Sequence, residues 1–287
     1  MCGAAGDRRP PSRTIVMQKV LTQVDKDGNA TVALNRPKSH NALDPETGAQ
    51  LTAALKELEA NPKVRAVVLM GQGPSFCSGT DMDRIGKSAS GTKEQNYKAA
   101  HQMALVCRTL YALAKPTIAC VHGAVRGSGV GLVAACDIAI GSRDSTFRLP
   151  EVRLGIAPAV ISPYVVAAIG ERYARRYFLS GEEFDAGEAF RIGLLHDIVE
   201  ADELKPAVGR MLANLYCGGP NAIVAAKCLI GSVAHAAMAD DMVENTARIF
   251  AEIRATSEAE EGLAAFLEKR AAAWVAPASP AKRQNRR

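Results

Sequence analysis

Short apolar runs alternate with amphipathic stretches along the first two hundred residues. Two β-rich runs, 16–24 and 30–34, flank the polar turn Asp-Lys-Asp-Gly-Asn, which predicts a β-hairpin. Asp44 followed by Pro45 predicts the start of a helix, with the Asp side chain as its N-cap. Further strands are predicted over 64–70, 117–121, 138–140 and 146–149, and helices over 96–114, 132–136, 160–170, 174–179 and 186–192. This alternation favours an α/β core with parallel strands.

The pattern becomes purely helical beyond residue 200. Predicted helices there cover 203–216, 221–238, 240–256 and 257–275. We therefore expect a disordered N-terminal tail over 1–14, an α/β core over 15–200, a helical C-terminal region over 201–275 and a disordered basic tail over 276–287. The closing helices are rich in Ala, Met and Leu, so their apolar stripes must pack on the core or on another subunit.

Composition is that of an ordinary globular protein: 48% of the 287 residues are hydrophobic and 23% are charged. No apolar run reaches the roughly 18–20 residues of a membrane span, and the first fourteen residues lack the apolar core of a secretory signal. We therefore expect a cytoplasmic protein without membrane contact. The net charge of +5 lies in the two tails, which carry +2 and +4, so the body is near −1 and nucleic acid is not an expected partner.

Seven cysteines are scattered along the chain without a C-x-x-C pair. Their number is odd and several lie in apolar runs, which favours reduced, mostly buried thiols. A zinc site needs clustered Cys and His, and the sequence has no such cluster. Neither a metal nor a redox cofactor is therefore expected.

Candidate chemistry is concentrated in three segments. Residues 76–81 (Phe-Cys-Ser-Gly-Thr-Asp) and 126–131 (Arg-Gly-Ser-Gly-Val-Gly) are glycine-bearing turns, each after a predicted buried strand. Such turns can direct backbone N–H groups at one developing negative charge. Glu151, about twenty residues after the second turn, can transfer a proton beside it. The pattern predicts a site that stabilises the enolate of an acyl thioester.

Two other interpretations of the second turn are disfavoured by its spacing. Its glycines alternate as G-x-G-x-G, whereas a dinucleotide-binding fingerprint requires G-x-G-x-x-G. Ser128 does not lie in a G-x-S-x-G elbow, and no His follows nearby in the order of a hydrolase triad. Neither a nucleotide site nor a serine nucleophile is therefore expected there.

Five motifs in register resemble one family. They are NRPKxxNAL at 35–43, FCSGTD at 76–81, GSG at 127–129, ACDIA at 135–139 and PExxLGIxP at 150–158. Over roughly residues 15–270 the chain resembles the enoyl-CoA hydratase/isomerase (crotonase) family. The resemblance implies a spiral of β-β-α repeats with a C-terminal helical region for trimer contacts, assembly as a homotrimer or hexamer, and an acyl-CoA thioester as substrate. It implies no cofactor, because coenzyme A is part of the substrate.

The resemblance also implies roles for individual residues. The backbone N–H groups of Thr80 and Ser128 would bind the thioester oxygen, and Glu151 would be the catalytic carboxylate. Ser128 departs from the family pattern, since this position is usually Gly, and a positive φ there would make Ser costly. The substrate-binding positions implied by the match are Lys38, Ser78, Gly79, Met82, Gly127, Gly129 and Gly131.

The reaction is less specified than the family. Two-carboxylate hydratases of this family carry a second Glu in the Gly-rich turn, and that position is Gly131 here. The amino-acid sequence over 129–137 and 154–165 is nevertheless similar to that of bacterial methylglutaconyl-CoA hydratases. We expect an enoyl-CoA hydratase, with a branched glutaconyl-type thioester as a candidate substrate. The alternatives are a Δ3-Δ2 enoyl-CoA isomerase that uses Glu151 alone, and a non-catalytic CoA- or RNA-binding member.

Overall fold

The computed structural model describes residues 18–81, 91–234 and 236–275. Strand β1 (Val20–Val24) pairs antiparallel with β2 (Asn29–Leu34), which confirms the predicted hairpin. The turn is held by Asp25, whose carboxylate accepts the backbone N–H groups of residues 27 and 29. The predicted tails, 1–14 and 276–287, both lie outside the described residues.

A six-stranded sheet forms the centre of the molecule. After β2 it continues through β3 (Ala66–Gly71), β4 (Thr117–Val121), β6 (Ile138–Ser142) and β9 (Asp197–Val199), and all of these neighbours run parallel. The inner strands are buried on both faces, as is typical of a parallel sheet covered by helices. The carboxyl ends of β3 and β4 lead into the two glycine-bearing turns.

A second, three-stranded sheet lies beyond the carboxyl end of β4. It contains β5 (Ala124–Arg126), β7 (Thr146–Arg148) and β8 (Glu183–Asp185), with β5 parallel and β8 antiparallel to β7. Strands β5, β8 and β9 have three residues each and were not predicted, whereas β7, which is equally short, lies within the strand predicted over 146–149. This sheet matters for the site, because β5 leads into the second turn and β7 leads to Glu151.

Helices cover the sheets. Helix α1 (Pro45–Ala60) begins as predicted, with the Asp44 side chain accepting the backbone N–H of Thr47, and it packs against α2 (Lys93–Tyr111). Helix α3 (Ser128–Ala135) starts four residues earlier than predicted. The helices predicted over 160–170 and 174–179 form one element, α4 (Ser162–Ser180), interrupted by non-helical backbone at Gly170.

The remaining helices follow in chain order: α5 (Ala186–Arg191), α6 (Leu204–Tyr216), α7 (Pro220–Val233), α8 (Asp240–Arg254) and α9 (Ser257–Leu267). The predictions for α7 and α9 ran too far: α7 stops at Val233, not residue 238, and α9 at Leu267, not residue 275. Helix α6 packs on β4 and β6, whereas α8 has no buried residue. No described helix combines the length and the apolar character that crossing a bilayer requires.

Candidate active site

The first turn presents the backbone of Thr80 to a cavity. Leu43 N–H donates to the Gly79 carbonyl at 2.7 Å, and Asp81 N–H donates to the Leu43 carbonyl at 3.1 Å. In such a parallel bridge the intervening residue directs its own N–H and C=O away from the partner strand. The N–H of Thr80 therefore points away from Leu43, on the side where the second turn lies.

Glycine is required just before this donor. Gly79 has a φ of +89°, a conformation that L side chains rarely adopt. A Cβ on Gly79 would lie 2.7 Å from the carbonyl oxygen of Arg126 and 3.6 Å from the backbone nitrogen of Ser128. The first turn can approach the second turn this closely only because residue 79 has no side chain.

The second turn supplies the other backbone donor. Gly127 is the N-cap of α3 with a φ of +46°, and its carbonyl accepts the N–H groups of Val130 and Gly131. Ser128 is the first helical residue, so its N–H has no partner within the helix, and the helix dipole places partial positive charge there. Within the described ranges, no acceptor is bonded to the N–H of Thr80 or of Ser128.

Ser128 fits its unusual position without backbone strain. The positive φ of the turn falls on Gly127, and Ser128 is not among the residues with positive φ. Its side chain is 7% exposed, and its Oγ lies 3.0 Å from the Oγ1 of Thr80, within hydrogen-bond distance. The two turns are thus joined by their side-chain hydroxyls as well as by close backbone approach.

Glu151 reaches the same cavity from the small sheet. It begins a 3-10 turn, Glu151–Leu154, after β7 and Pro150. The N–H of Gly127 donates to the Arg148 carbonyl at 2.9 Å, which ties the second turn to this segment. A Cβ on Gly127 would lie 2.8 Å from Oε1 of Glu151, so glycine also allows the carboxyl group to approach the turn.

The carboxyl group of Glu151 lies in a poorly solvated environment. Its Oε2 atom is buried and has no hydrogen-bond partner among the described residues. Burial raises the pKa of Glu151 above its ordinary value, because desolvation disfavours the charged form. A carboxyl group with a raised pKa in a cleft is suited to accept and return a proton near neutral pH.

The cavity has a volume of about 320 Å³ and a mostly apolar lining. Its described polar side chains are Asp44, Thr80, Gln102, Ser128 and Glu151. Asp44 is already engaged, since its carboxylate accepts from Lys19 at 2.7 Å and from the backbone of Thr47 at 2.7 Å. Although burial would raise it, these hydrogen bonds hold the pKa of Asp44 well below its usual range. Glu151 is therefore the carboxyl group in this lining that is available for proton transfer.

The position of the second acid is closed by a buried side chain. A Cβ on Gly131 would lie 2.7 Å from Cβ of Ile161 and closer still to its Cγ2. Ile161 is 1% exposed and lines the cavity beside Glu151. Gly131 was identified from the sequence but Ile161 was not, because nothing local indicates a contact across thirty residues.

The other predicted substrate-binding positions lie in the two turns, outside the cavity lining, or outside the described residues. Gly129 lies at the contact between the turns, since a Cβ there would be 3.0 Å from Cβ of Cys77. Ser78 hydrogen-bonds the segment before α1 through its N–H, which donates to the His40 carbonyl at 2.9 Å. Lys38 is exposed in the 3-10 turn Pro37–Ser39, outside the cavity lining. Met82 lies outside the described residues.

Arg36 is a residue of the site region that was not assigned a role. Its guanidinium donates to Asp81 at 2.9 Å and to the carbonyl of Ala42, which holds the segment before α1 against the first turn. The motif that contains Arg36 was visible in the sequence, but its contact with Asp81 spans 45 residues. Elsewhere in the described ranges, no group of three His, Cys, Asp or Glu side chains is arranged to hold a metal ion.

Known proteins share this sequence and architecture. A family model described as Enoyl-CoA hydratase/isomerase matches residues 25–277. A crotonyl-CoA hydratase of Syntrophomonas wolfei is 31% identical over 251 residues, covering 86% of this chain and 94% of that protein. A short-chain-enoyl-CoA hydratase of Clostridium acetobutylicum is 31% identical over 254 residues, covering 86% and 94%.

A solved structure gives the same result for the fold. The crystal structure of an enoyl-CoA hydratase from Shewanella pealeana has a TM-score of 0.86 and 35% identity, covering 90% of this chain and 97% of that chain. The predicted crotonase fold is therefore confirmed, and the relatives identify the chain as a member of an enzyme family. The chain belongs to the enoyl-CoA hydratase/isomerase family.

Proposed function

We propose that this enzyme adds water to a 2-enoyl-CoA thioester, with Glu151 as its one proton carrier. The observation that carries the proposal is the convergence, on one cavity, of a desolvated carboxyl group and two backbone N–H groups that have no acceptor among the described residues. Family membership implies the acyl-CoA substrate, and the hydratase names of the relatives favour hydration. The N–H groups of Thr80 and Ser128 bind the thioester oxygen.

The proposed reaction balances with a single carboxylate. Glu151 takes a proton from water while the water oxygen bonds to C3 of the enoyl group. The C2–C3 π electrons move toward the thioester, and its oxygen becomes an enolate oxygen held by the two N–H groups. Glu151 then returns its proton to C2, which gives the 3-hydroxyacyl thioester. In serine proteases one such N–H donor is worth about 3–4 kcal/mol of transition-state stabilisation, and we expect a similar contribution here.

The cavity lining favours an apolar acyl chain. It includes Leu43, Met103 and the segment 156–161, and no Lys or Arg occurs among its described residues. A branched glutaconyl-type substrate, which the sequence resemblance favours, carries a free carboxylate besides its thioester, and that charge would need such a cation. A methylglutaconyl thioester therefore belongs in the substrate panel as the alternative to an uncharged enoyl chain.

Isomerisation is the second candidate function. Moving a double bond from C3 to C2 requires one proton carrier and no bound water, and Glu151 alone would suffice. The observation that favours it is the side chain of Ile161, which occupies the space where a second acid would stand. The same N–H groups would stabilise the dienolate in that reaction.

A panel of thioesters tests both functions. Uncharged 2-enoyl, 3-enoyl and methylglutaconyl thioesters are incubated with the parent enzyme and with Glu151→Gln, and the products are identified by mass spectrometry. We expect 3-hydroxyacyl product from the 2-enoyl thioester with the parent only. Conversion of the 3-enoyl thioester to the 2-enoyl isomer without any 3-hydroxyacyl product would overturn the hydratase in favour of the isomerase.

We further propose that the C-terminal helices contact other copies of this chain, in a trimer or a hexamer. Helices α8 and α9 leave large apolar side chains in solvent: Phe250 is 71% exposed, Phe266 80% and Leu267 77%. Exposed apolar surface of this extent is typical of an interface. Light scattering should give a trimeric or hexameric mass for the parent and a smaller mass for Phe266→Asp. A monomeric parent at micromolar concentration contradicts the proposal.

A further inference from the structure

The proposed hydration needs a polar side chain that orients the attacking water in the cavity. Asp44 is bonded to Lys19 and Thr47, and Gln102 is exposed on α2. Thr80, Ser128 and Glu151 are the remaining polar side chains in the described lining. Among the described lining residues, a side chain that orients a water beside Glu151 is therefore one of the two hydroxyls.

The hydroxyl groups of Thr80 and Ser128 have one hydrogen that their mutual hydrogen bond does not use. Two hydroxyl groups carry two hydrogens, and the 3.0 Å bond between Thr80 and Ser128 uses one of them. No other partner of either hydroxyl is found among the described residues. When Thr80 donates to Ser128, the Ser128 hydroxyl is held in place and its own hydrogen is free to point into the cavity.

Ser128 stands on the helix face where the second acid would otherwise act. Residues 128 and 131 are three apart on α3, so they are neighbours on one face, with Cβ positions about 5–6 Å apart. Position 131 carries no side chain and is covered by Ile161. The Ser128 hydroxyl is therefore the polar side-chain group that this face offers at the cavity.

We propose that the Ser128 hydroxyl, held by the Thr80 hydroxyl, orients the attacking water in place of a second carboxylate. The hydroxyl donates its hydrogen to the water oxygen, the water donates a hydrogen to Glu151, and a remaining lone pair attacks C3. The proton balance is that of the hydration described above. This role rests on the proposed hydration, and it differs from the N–H role of Ser128, which any residue except Pro at this position would retain.

Variants that keep both N–H groups separate the two roles. Ser128→Ala and Thr80→Val remove one hydroxyl each, and Ser128→Thr and Thr80→Ser are matched controls that retain it. Two rates are measured for every variant: hydration of a 2-enoyl thioester, and exchange of the C2 protons of a saturated acyl-CoA in D₂O. Exchange requires Glu151 and the N–H groups but no attacking water.

The expected pattern is a selective loss of hydration. Misplacing a reacting group by about 1 Å can lower a rate about 100-fold, so we expect kcat for hydration to fall about 10–100-fold in Ser128→Ala and Thr80→Val. Exchange should fall less than hydration, since both N–H donors remain, so the ratio of the hydration rate to the exchange rate should drop about 10-fold or more. The two hydroxyl-retaining controls should recover most of the hydration rate.

Other outcomes have distinct meanings. If the parent exchanges C2 protons but hydrates no thioester, the proposed function fails, and this inference fails with it. If the parent hydrates and the hydroxyl-free variants hydrate equally well, the proposed function stands and the inference is overturned. An equal fall of exchange and hydration also overturns it, because the hydroxyl would then be acting on the thioester oxygen.

Discussion

The contact between Gly131 and Ile161 allows a quantitative prediction about why position 131 carries no second acid. In Gly131→Ala, the new Cβ would lie 2.7 Å from Cβ of Ile161 and closer to Cγ2, whereas carbon atoms normally approach to about 3.5–4.0 Å. Replacing Gly by Ala within a helix gains about 0.5–1 kcal/mol, and overpacking a core costs about 1–3 kcal/mol. We expect a net destabilisation of about 1–2 kcal/mol, the overlap being severe.

A double-mutant cycle identifies the contact responsible. Ile161→Ala removes Cγ2 and should cost about 2–5 kcal/mol on its own, because it opens a cavity in a buried region. Gly131→Ala in that background meets only Cβ, and its methyl fills part of the cavity. The double variant should therefore be more stable than the sum of the single effects by about 1 kcal/mol.

Ile161→Val is the matched control, since valine retains a methyl at the position of Cγ2. The cycle with Val should be additive within about 0.5 kcal/mol. Urea unfolding is followed at one fixed protein concentration, because association between subunits would make stability depend on concentration. An additive cycle with Ala, or a neutral Gly131→Ala, would refute the account in which Ile161 excludes a side chain from position 131.

Three further predictions concern Glu151 and the first turn. Glu151→Gln should lower turnover about 100–10,000-fold. It should also raise the Tm at pH 7, because desolvation raises the pKa of Glu151 and so disfavours its charged form in the folded state. This gain in Tm should vanish below pH 4.5, where the parent is also neutral, and an unchanged Tm at pH 7 would contradict the prediction. The acid limb of the pH profile of kcat/KM should lie above pH 4.5. The proposed hydration requires the carboxylate of Glu151, so activity should be lost as the pH falls through its raised pKa. An acid limb at or below pH 4.5 would contradict this prediction. Gly79→Ala should destabilise the protein more than Gly155→Ala, although φ is positive at both positions. A Cβ at position 79 would lie 2.7 Å from the Arg126 carbonyl oxygen, whereas a Cβ at position 155 would have nothing within 4 Å. Equal losses of Tm in the two variants would contradict the close approach of the two turns.

The start of α1 and most strands of the central sheet were predictable, whereas three short strands were not. The Asp44 N-cap was predicted because the cap, the following proline and the bonded N–H lie within four residues. Strands β1 to β4 and β6 of the central sheet were predicted because their apolar runs are long enough to be recognised. Strands β5, β8 and β9 were not predicted, although β5 and β8 belong to the sheet that positions the second turn and the segment before Glu151.

The candidate site divides in the same way. Its turns and carboxylate were identified from motifs, and Thr80, Ser128 and Glu151 do line one cavity. Their catalytic roles stay predictions until the variants are assayed. The Thr80–Ser128 hydroxyl contact was not predicted, because side-chain proximity across 48 residues depends on how the two turns pack.

The alternating glycines of the second turn meet three different neighbours. Without a side chain, Gly127 admits the Glu151 carboxyl, Gly129 admits the backbone of the first turn at Cys77, and Gly131 admits Ile161. Only the first two bring the groups of the proposed active site together, so the G-x-G-x-G spacing does not describe one binding function. Position 131 instead depends on position 161: a carboxylate can enter at 131 only if residue 161 is smaller or its backbone moves. In this chain, the side chain of Ile161, a residue outside the glycine-rich turn, therefore leaves no room for a second acid at position 131.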